Sequence, residues 1–135
     1  MKIKPLTQGF RVGIEAKVYP SEDPVKVKEA VKNLGKVGEP KVDEKTGFVT
    51  LESEDENALN YIYLQLRSRQ TLGVARRLLL EHAHDDCTWI FFNKQAAYVG
   101  VLSACEQEGE SPLGPIKVKI CCKDVAALIE WLAPG

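Results

Sequence analysis

The 135 residues predict a single α+β domain with a predominantly antiparallel sheet covered by helices, in the order β-α-β-β-α-α-β-β-β-α. Three observations carry this. Period-two alternation near both ends of the chain marks half-buried strands, capped stretches with helical spacing lie between them, and no linker or internal repeat divides the chain. A chain of this length buries roughly two-thirds of its unfolded surface, enough for a core without staples. With 44% hydrophobic and 27% charged residues, disorder and coiled coil are excluded.

Phe10 to Val18 alternates, with Phe10, Val12, Ile14, Ala16 and Val18 on one face and Arg11, Glu15 and Lys17 on the other, as a half-buried strand does. Asp23 before Pro24 is an N-cap and first-turn signature; Val27, Ala30, Val31 and Leu34 then recur at helical spacing, and Gly35 offers the stop. Val37 to Val42 and Phe48 to Leu51 read as short strands joined by a turn containing Gly47. Ser53 and Glu56 have the spacing of a capping box. The helical pattern that follows runs to about His82, too long for one globular helix, so a break is expected at Ser68 to Thr71. Thr88 to Phe92 reads as a buried strand, Asn93 as the cap of one helical turn from Lys94 to Tyr98, and Val99 to Cys105 as a further strand. Glu106 to Pro115 is a loop by composition, Ile116 to Cys122 alternates again, and Asp124 caps a last helix carrying Val125, Leu128, Ile129 and Leu132.

The N-terminus has no apolar run after its lysines, and no uncharged stretch approaches the roughly 18 residues of a membrane span, so a cytoplasmic protein is expected. Cys87, Cys105, Cys121 and Cys122 contain no CxxC pair and are expected to be reduced, buried thiols, with disulfides the exception open to hyperthermophile proteins.

The stretches Asn93-Lys94-Gln95-Ala96-Ala97-Tyr98-Val99-Gly100 and Glu110-Ser111-Pro112-Leu113-Gly114-Pro115-Ile116, with Asp23-Pro24-Val25-Lys26-Val27 and Leu66-Arg67-Ser68-Arg69, carry a resemblance across nearly the whole chain. The sequence resembles the archaeal uncharacterised-protein family (UPF) number two hundred and one, small proteins described as predicted RNA-binding. The resemblance implies a fold similar to ribosomal protein five of the large subunit, an α+β sheet with helices on one side.

Eighteen basic residues against nineteen acidic ones give a net charge of −1, which excludes a uniformly basic nucleic-acid binder. The charge is unevenly placed, however. Arg67, Arg69, Arg76 and Arg77 are four of the five arginines, and no acid lies between Glu56 and Glu81. A helical projection allows all four to face solvent together, and guanidinium suits bidentate phosphate contacts. The plainer reading pairs them with acids of other elements or places them in a subunit interface, since Gly73 and Leu80 share their outer stripe.

Lys94 and Gln95 follow a strand directly, where a turn could present them to phosphate and base edges, with Tyr98 stacking; the alternative is a turn that only caps the sheet. Glu106, Glu108 and Glu110 make an acidic loop, so an RNA surface should lie away from it. His82, His84, Asp85, Asp86 and Cys87 are competent zinc ligands at a spacing that matches no finger or ribbon, and a Cys87 nucleophile would open a buried strand. No P-loop, GxGxxG, HExxH or GxSxG pattern occurs. The expectation is therefore a non-catalytic RNA-binding protein without cofactor or metal, acting in translation or RNA processing through Arg67, Arg69, Arg76 and Arg77 with Lys94 and Gln95 in support. The competing expectation is a homodimerisation or protein-interaction module using the same surface.

Overall fold

Alternation builds the sheet. The computed structural model describes residue 3 and residues 6–68, 71–110 and 113–135. Among the described residues, β1 (Arg11–Lys17), β2 (Lys41–Asp43), β3 (Phe48–Ser53), β4 (Cys87–Asn93), β5 (Ala104–Cys105) and β6 (Pro115–Cys121) form one sheet, order β2-β3-β1-β6-β4-β5, with every pairing antiparallel. Residues directly opposite each other share a face. Val12, Ile14 and Ala16 of β1 therefore join Val49 and Leu51 of β3, Ile116, Val118 and Ile120 of β6, and Ile90 and Phe92 of β4 on one buried face. Over it lie α1 (Pro24–Gly35), α2 (Asn60–Ser68), α3 (Leu72–Glu81), α4 (Lys94–Tyr98) and α5 (Val125–Leu132), contributing Val31, Leu34, Ile62, Leu66, Leu78, Leu79, Leu128 and Leu132 to the core. Each such side chain supplies about 1.5–3 kcal/mol by burial. Among the described residues no helix is long and apolar enough to cross a membrane.

The polar caps act as their positions suggest. Asp23 accepts from Val25 N at 2.9 Å, Asn93 from Ala96 N at 2.9 Å and Asp124 from Ala127 N at 3.0 Å. The break between α2 and α3 falls where the sequence places it; Arg69, inside that break, lies outside the described residues.

Four local expectations are corrected. Ser53 does not cap a helix: it ends β3, its hydroxyl accepts from Asp55 N at 3.0 Å, Asp55 accepts from Asn57 N at 2.7 Å, and successive turns delay the helix to Asn60. Gly35 is not the stop of α1, whose C-cap is Lys36 at φ 59°; a Cβ on Gly35 would sit 2.7 Å from Leu51 Cδ2, so this glycine lets the helix approach β3. The strand expected over Val37 to Val42 shrinks to Lys41–Asp43, because left-handed Gly38 (φ 73°) and Pro40 interrupt extension. The strand expected from Val99 shrinks to Ala104–Cys105, because Gly100 (φ 80°) and the bond from Val101 N to Ala96 O at 2.8 Å are spent closing α4.

Two of the four cysteines are also corrected. Cys87 lies opposite Cys121 across β4 and β6, Cα atoms 4.1 Å apart, and the two form a disulfide; Cys105 and Cys122 are free. Thirty-four positions separate the pair, so only strand pairing brings them together.

Candidate functional site

The three described arginines of this segment, Arg67, Arg76 and Arg77, do not form one solvent-facing row. Arg67 is half-buried: its guanidinium lies 3.3 Å from the centre of the Tyr63 ring and donates to Tyr63 O (3.1 Å), Leu132 O (3.2 Å) and Trp131 O (3.0 Å). It satisfies carbonyls at the C-terminal end of α5 that no intrahelical N–H can reach. Arg76 turns the same way, to Glu130 Oε2 at 2.6 Å and Ala133 O at 3.2 Å. Arg77 turns away from it, to Glu81 at 3.3 Å and to Glu106 in the acidic loop, and the Glu106 carboxylate, seconded by Glu81, raises its pKa. Arg67 ties the end of α5 to α2, while Arg76 and Arg77 tie α5 and the acidic loop to α3, so the described arginines and the acidic loop expected to avoid them are in contact. Leu80 and Val74, 51% and 44% exposed, remain on the outer face of α3 with Gly73.

Lys94 is corrected from a contact residue to a buried one. Its ammonium donates to Lys17 O (2.7 Å), Leu113 O (2.5 Å) and Glu22 Oε1 (2.9 Å), which uses all three of its protons. Gln95 is exposed at the rim of a cavity of about 320 Å³, together with Lys26 and Tyr98. The His82 to Cys87 stretch is likewise committed elsewhere. The His82 ring stacks on Trp89 with centroids 3.4 Å apart and Nδ1 2.9 Å from Trp89 O, while the Cys87 sulfur is in the disulfide.

What the structure assembles instead is the other face of the sheet. Outward-pointing residues of β3, β1, β6 and β4 line up in rows: Glu52, Gly13, Lys119 and Trp89 in one, Thr50, Glu15, Lys117 and Phe91 in the next. None of these eight is buried and no helix lies over the two rows, although the His82 ring at the end of α3 covers one face of Trp89. Trp89 and Phe91 pack with centroids 4.8 Å apart, and Lys117 Nζ lies 5.1 Å from the Trp89 ring centre. Among the described residues, Glu15, Glu52, Lys117 and Lys119 make no ion pair. The alternation of Ile116 to Cys122 already turns Lys117 and Lys119 outward; that they stand beside the aromatics of β4 follows from pairing across the intervening loop, which has no local signal. Trp89 and Phe91, read from sequence as part of a buried strand, lie on this half-covered face.

Comparison with known proteins bears on the whole domain. A family model described as RNA binding matches residues 11–122, from the first residue of β1 to the one after β6. A UPF0201 protein of Sulfurisphaera tokodaii is 41% identical over 127 residues, covering 92% of this chain and 87% of the relative. One from Pyrococcus horikoshii is 38% identical over 131 residues, covering 96% and 93%. The crystal structure of a UPF0201 protein from Methanococcus jannaschii superposes with a TM-score of 0.78 at 30% identity, over 93% of each chain. Sequence and fold agree over nearly the full length, and the chain belongs to the archaeal UPF0201 family, whose sequence model is described as RNA binding.

Proposed function

We propose that this chain is a non-catalytic RNA-binding protein that holds RNA on the open face of its sheet and acts in translation or RNA processing. One observation carries the reading: Lys117 and Lys119 of β6 point outward beside Trp89 and Phe91 of β4 on a face that no helix covers. Ammonium groups there reach phosphates, and Phe91 with the part of Trp89 that His82 leaves open offers apolar surface to unstacked bases, the combination by which open sheets bind single-stranded RNA. The description of the family model supports the same reading.

The test is RNA binding by fluorescence anisotropy at several salt concentrations. The double variant Lys117→Ala, Lys119→Ala should weaken binding to all sequences and reduce the slope of log K against log salt by about 2. Arg76→Glu, on the helix side, separates this surface from the arginine segment. Unchanged affinity in the lysine variant with loss in the arginine variant overturns the assignment to the sheet.

A second reading is self-association through the outer face of α3. Half-exposed Val74 and Leu80 favour it. Leu80→Glu should then halve the molecular mass measured in solution; an unchanged mass removes this reading.

A further inference from the structure

Gly13 occupies the middle of the central strand β1 and is paired without interruption on both sides, to Glu52 of β3 and Lys119 of β6. Glycine weakens a strand interior and gives nothing to pack, so its presence there asks for a reason. The usual ones are absent. Its backbone is ordinary extended strand, the register shows no bulge, and a Cβ built on it would meet nothing within 4 Å. Nothing inside the described fold uses the missing side chain. What remains is the outside: glycine in a strand marks places where a ligand approaches the backbone closely.

The space it leaves is a notch of about 230 Å³, floored by β1 and walled by Glu15, Thr50, Glu52, Lys117 and Lys119. That is below the size of drug-sized pockets, about 300 Å³ and upward, and suits one heterocycle. Its chemistry is specific as well. Glu52 and Lys119 face each other across Gly13 in one row, their backbones about 10 Å apart at two strand spacings. A carboxylate accepts two hydrogen bonds side by side, and an ammonium donates. Guanine alone among the RNA bases carries two adjacent donors, N1–H and N2–H, next to an acceptor, O6, on one edge. The other three bases offer a carboxylate one donor there at most.

We propose that the Gly13 notch takes an unpaired guanine base, with Glu52 accepting from N1–H and N2–H and Lys119 donating to O6. The inference rests on the RNA-binding reading in that the base is supplied by RNA held on this face; a free guanine nucleotide carries the same edge, and the experiment separates the two sources.

Anisotropy with short single-stranded RNAs that differ only in one central base, guanine, inosine, adenine, cytosine or uracil, reads the preference directly. Guanine should bind about tenfold or more tightly than adenine, cytosine or uracil, with inosine, which lacks the N2 amine, between them. Gly13→Leu, for which the sheet has room, and Glu52→Gln should each bring the guanine RNA down to the level of the others while circular dichroism reports a folded protein. Equal affinities in the unaltered protein, or a guanine preference that survives Gly13→Leu, overturn the notch and leave RNA binding standing. Titration with guanosine and adenosine monophosphates, read by the amide signals of Gly13, Glu52 and Lys119, is the second arm. Shifts with the guanine nucleotide alone and no binding of any RNA keep the notch and overturn the RNA reading; no response in either arm overturns both.

Discussion

Lys94 Nζ lies 2.9 Å from Glu22 Oε1, with the two side chains only 4% and 9% exposed. The pair ties the start of α4 to the segment that leads into α1, and Lys94 also closes on Lys17 O and Leu113 O. Removing one member leaves the other charge buried without its counter-charge. Lys94→Met should therefore cost about 3–5 kcal/mol in urea unfolding. Adding Glu22→Gln should recover part of that loss, since the buried carboxylate is then gone. A Lys94→Met variant as stable as the parent would show that the ammonium is not structural.

Arg67 and Arg76 both reach α5 but should differ in weight. Arg67 loses three carbonyl contacts and its stack on Tyr63 when truncated, so Arg67→Ala should cost about 2–3 kcal/mol. Arg76, whose partner Glu130 is 59% exposed, should cost about 1 kcal/mol or less. Hydrogen exchange of the α5 amides should rise in the first variant and change little in the second.

The Cys87–Cys121 bond closes a long loop between β4 and β6. By the entropy of closing 34 residues, reduction should lower stability by about 3–4 kcal/mol. Thiol titration of the unfolded chain should count two groups before reduction and four after it.

Burial pushes the Cys105 thiol above its ordinary value, with the Glu110 carboxylate adding to the shift, and burial does the same at Cys122. The folded state thus holds these protons more tightly than the unfolded one. Their contribution to stability is full below the ordinary thiol pKa, about 8.5, and is lost as pH rises through the raised value. Native-state alkylation should be slower than that of the unfolded chain at neutral pH, and the difference should narrow in alkaline solution.

The elements that local chemistry governs are legible in the letters. The alternation of Phe10 to Val18 and Ile116 to Cys122, and the caps Asp23, Asn93 and Asp124, correspond to strands and helices within a residue or two. Where neighbours compete for the same backbone, the letters mislead. The Ser53-to-Glu56 spacing has the form of a capping box, but β1 recruits Ser53 into β3. Valines after Tyr98 favour extension, yet α4 takes the next residues to close its own end.

The sequence by itself determined the α+β class, the order of most elements and the two faces of the alternating strands β1 and β6, because these depend on periodicities of a few residues. Tertiary structure decided what the outward residues face. Four arginines close together in sequence read as one basic surface, but guanidinium groups on long side chains go wherever carbonyls and carboxylates are offered, and the three described ones meet α5 and the acidic loop. Conversely, Gly13, Glu52, Trp89 and Lys119 lie far apart in sequence and become one row through strand order alone, a property of long-range pairing that no local pattern encodes.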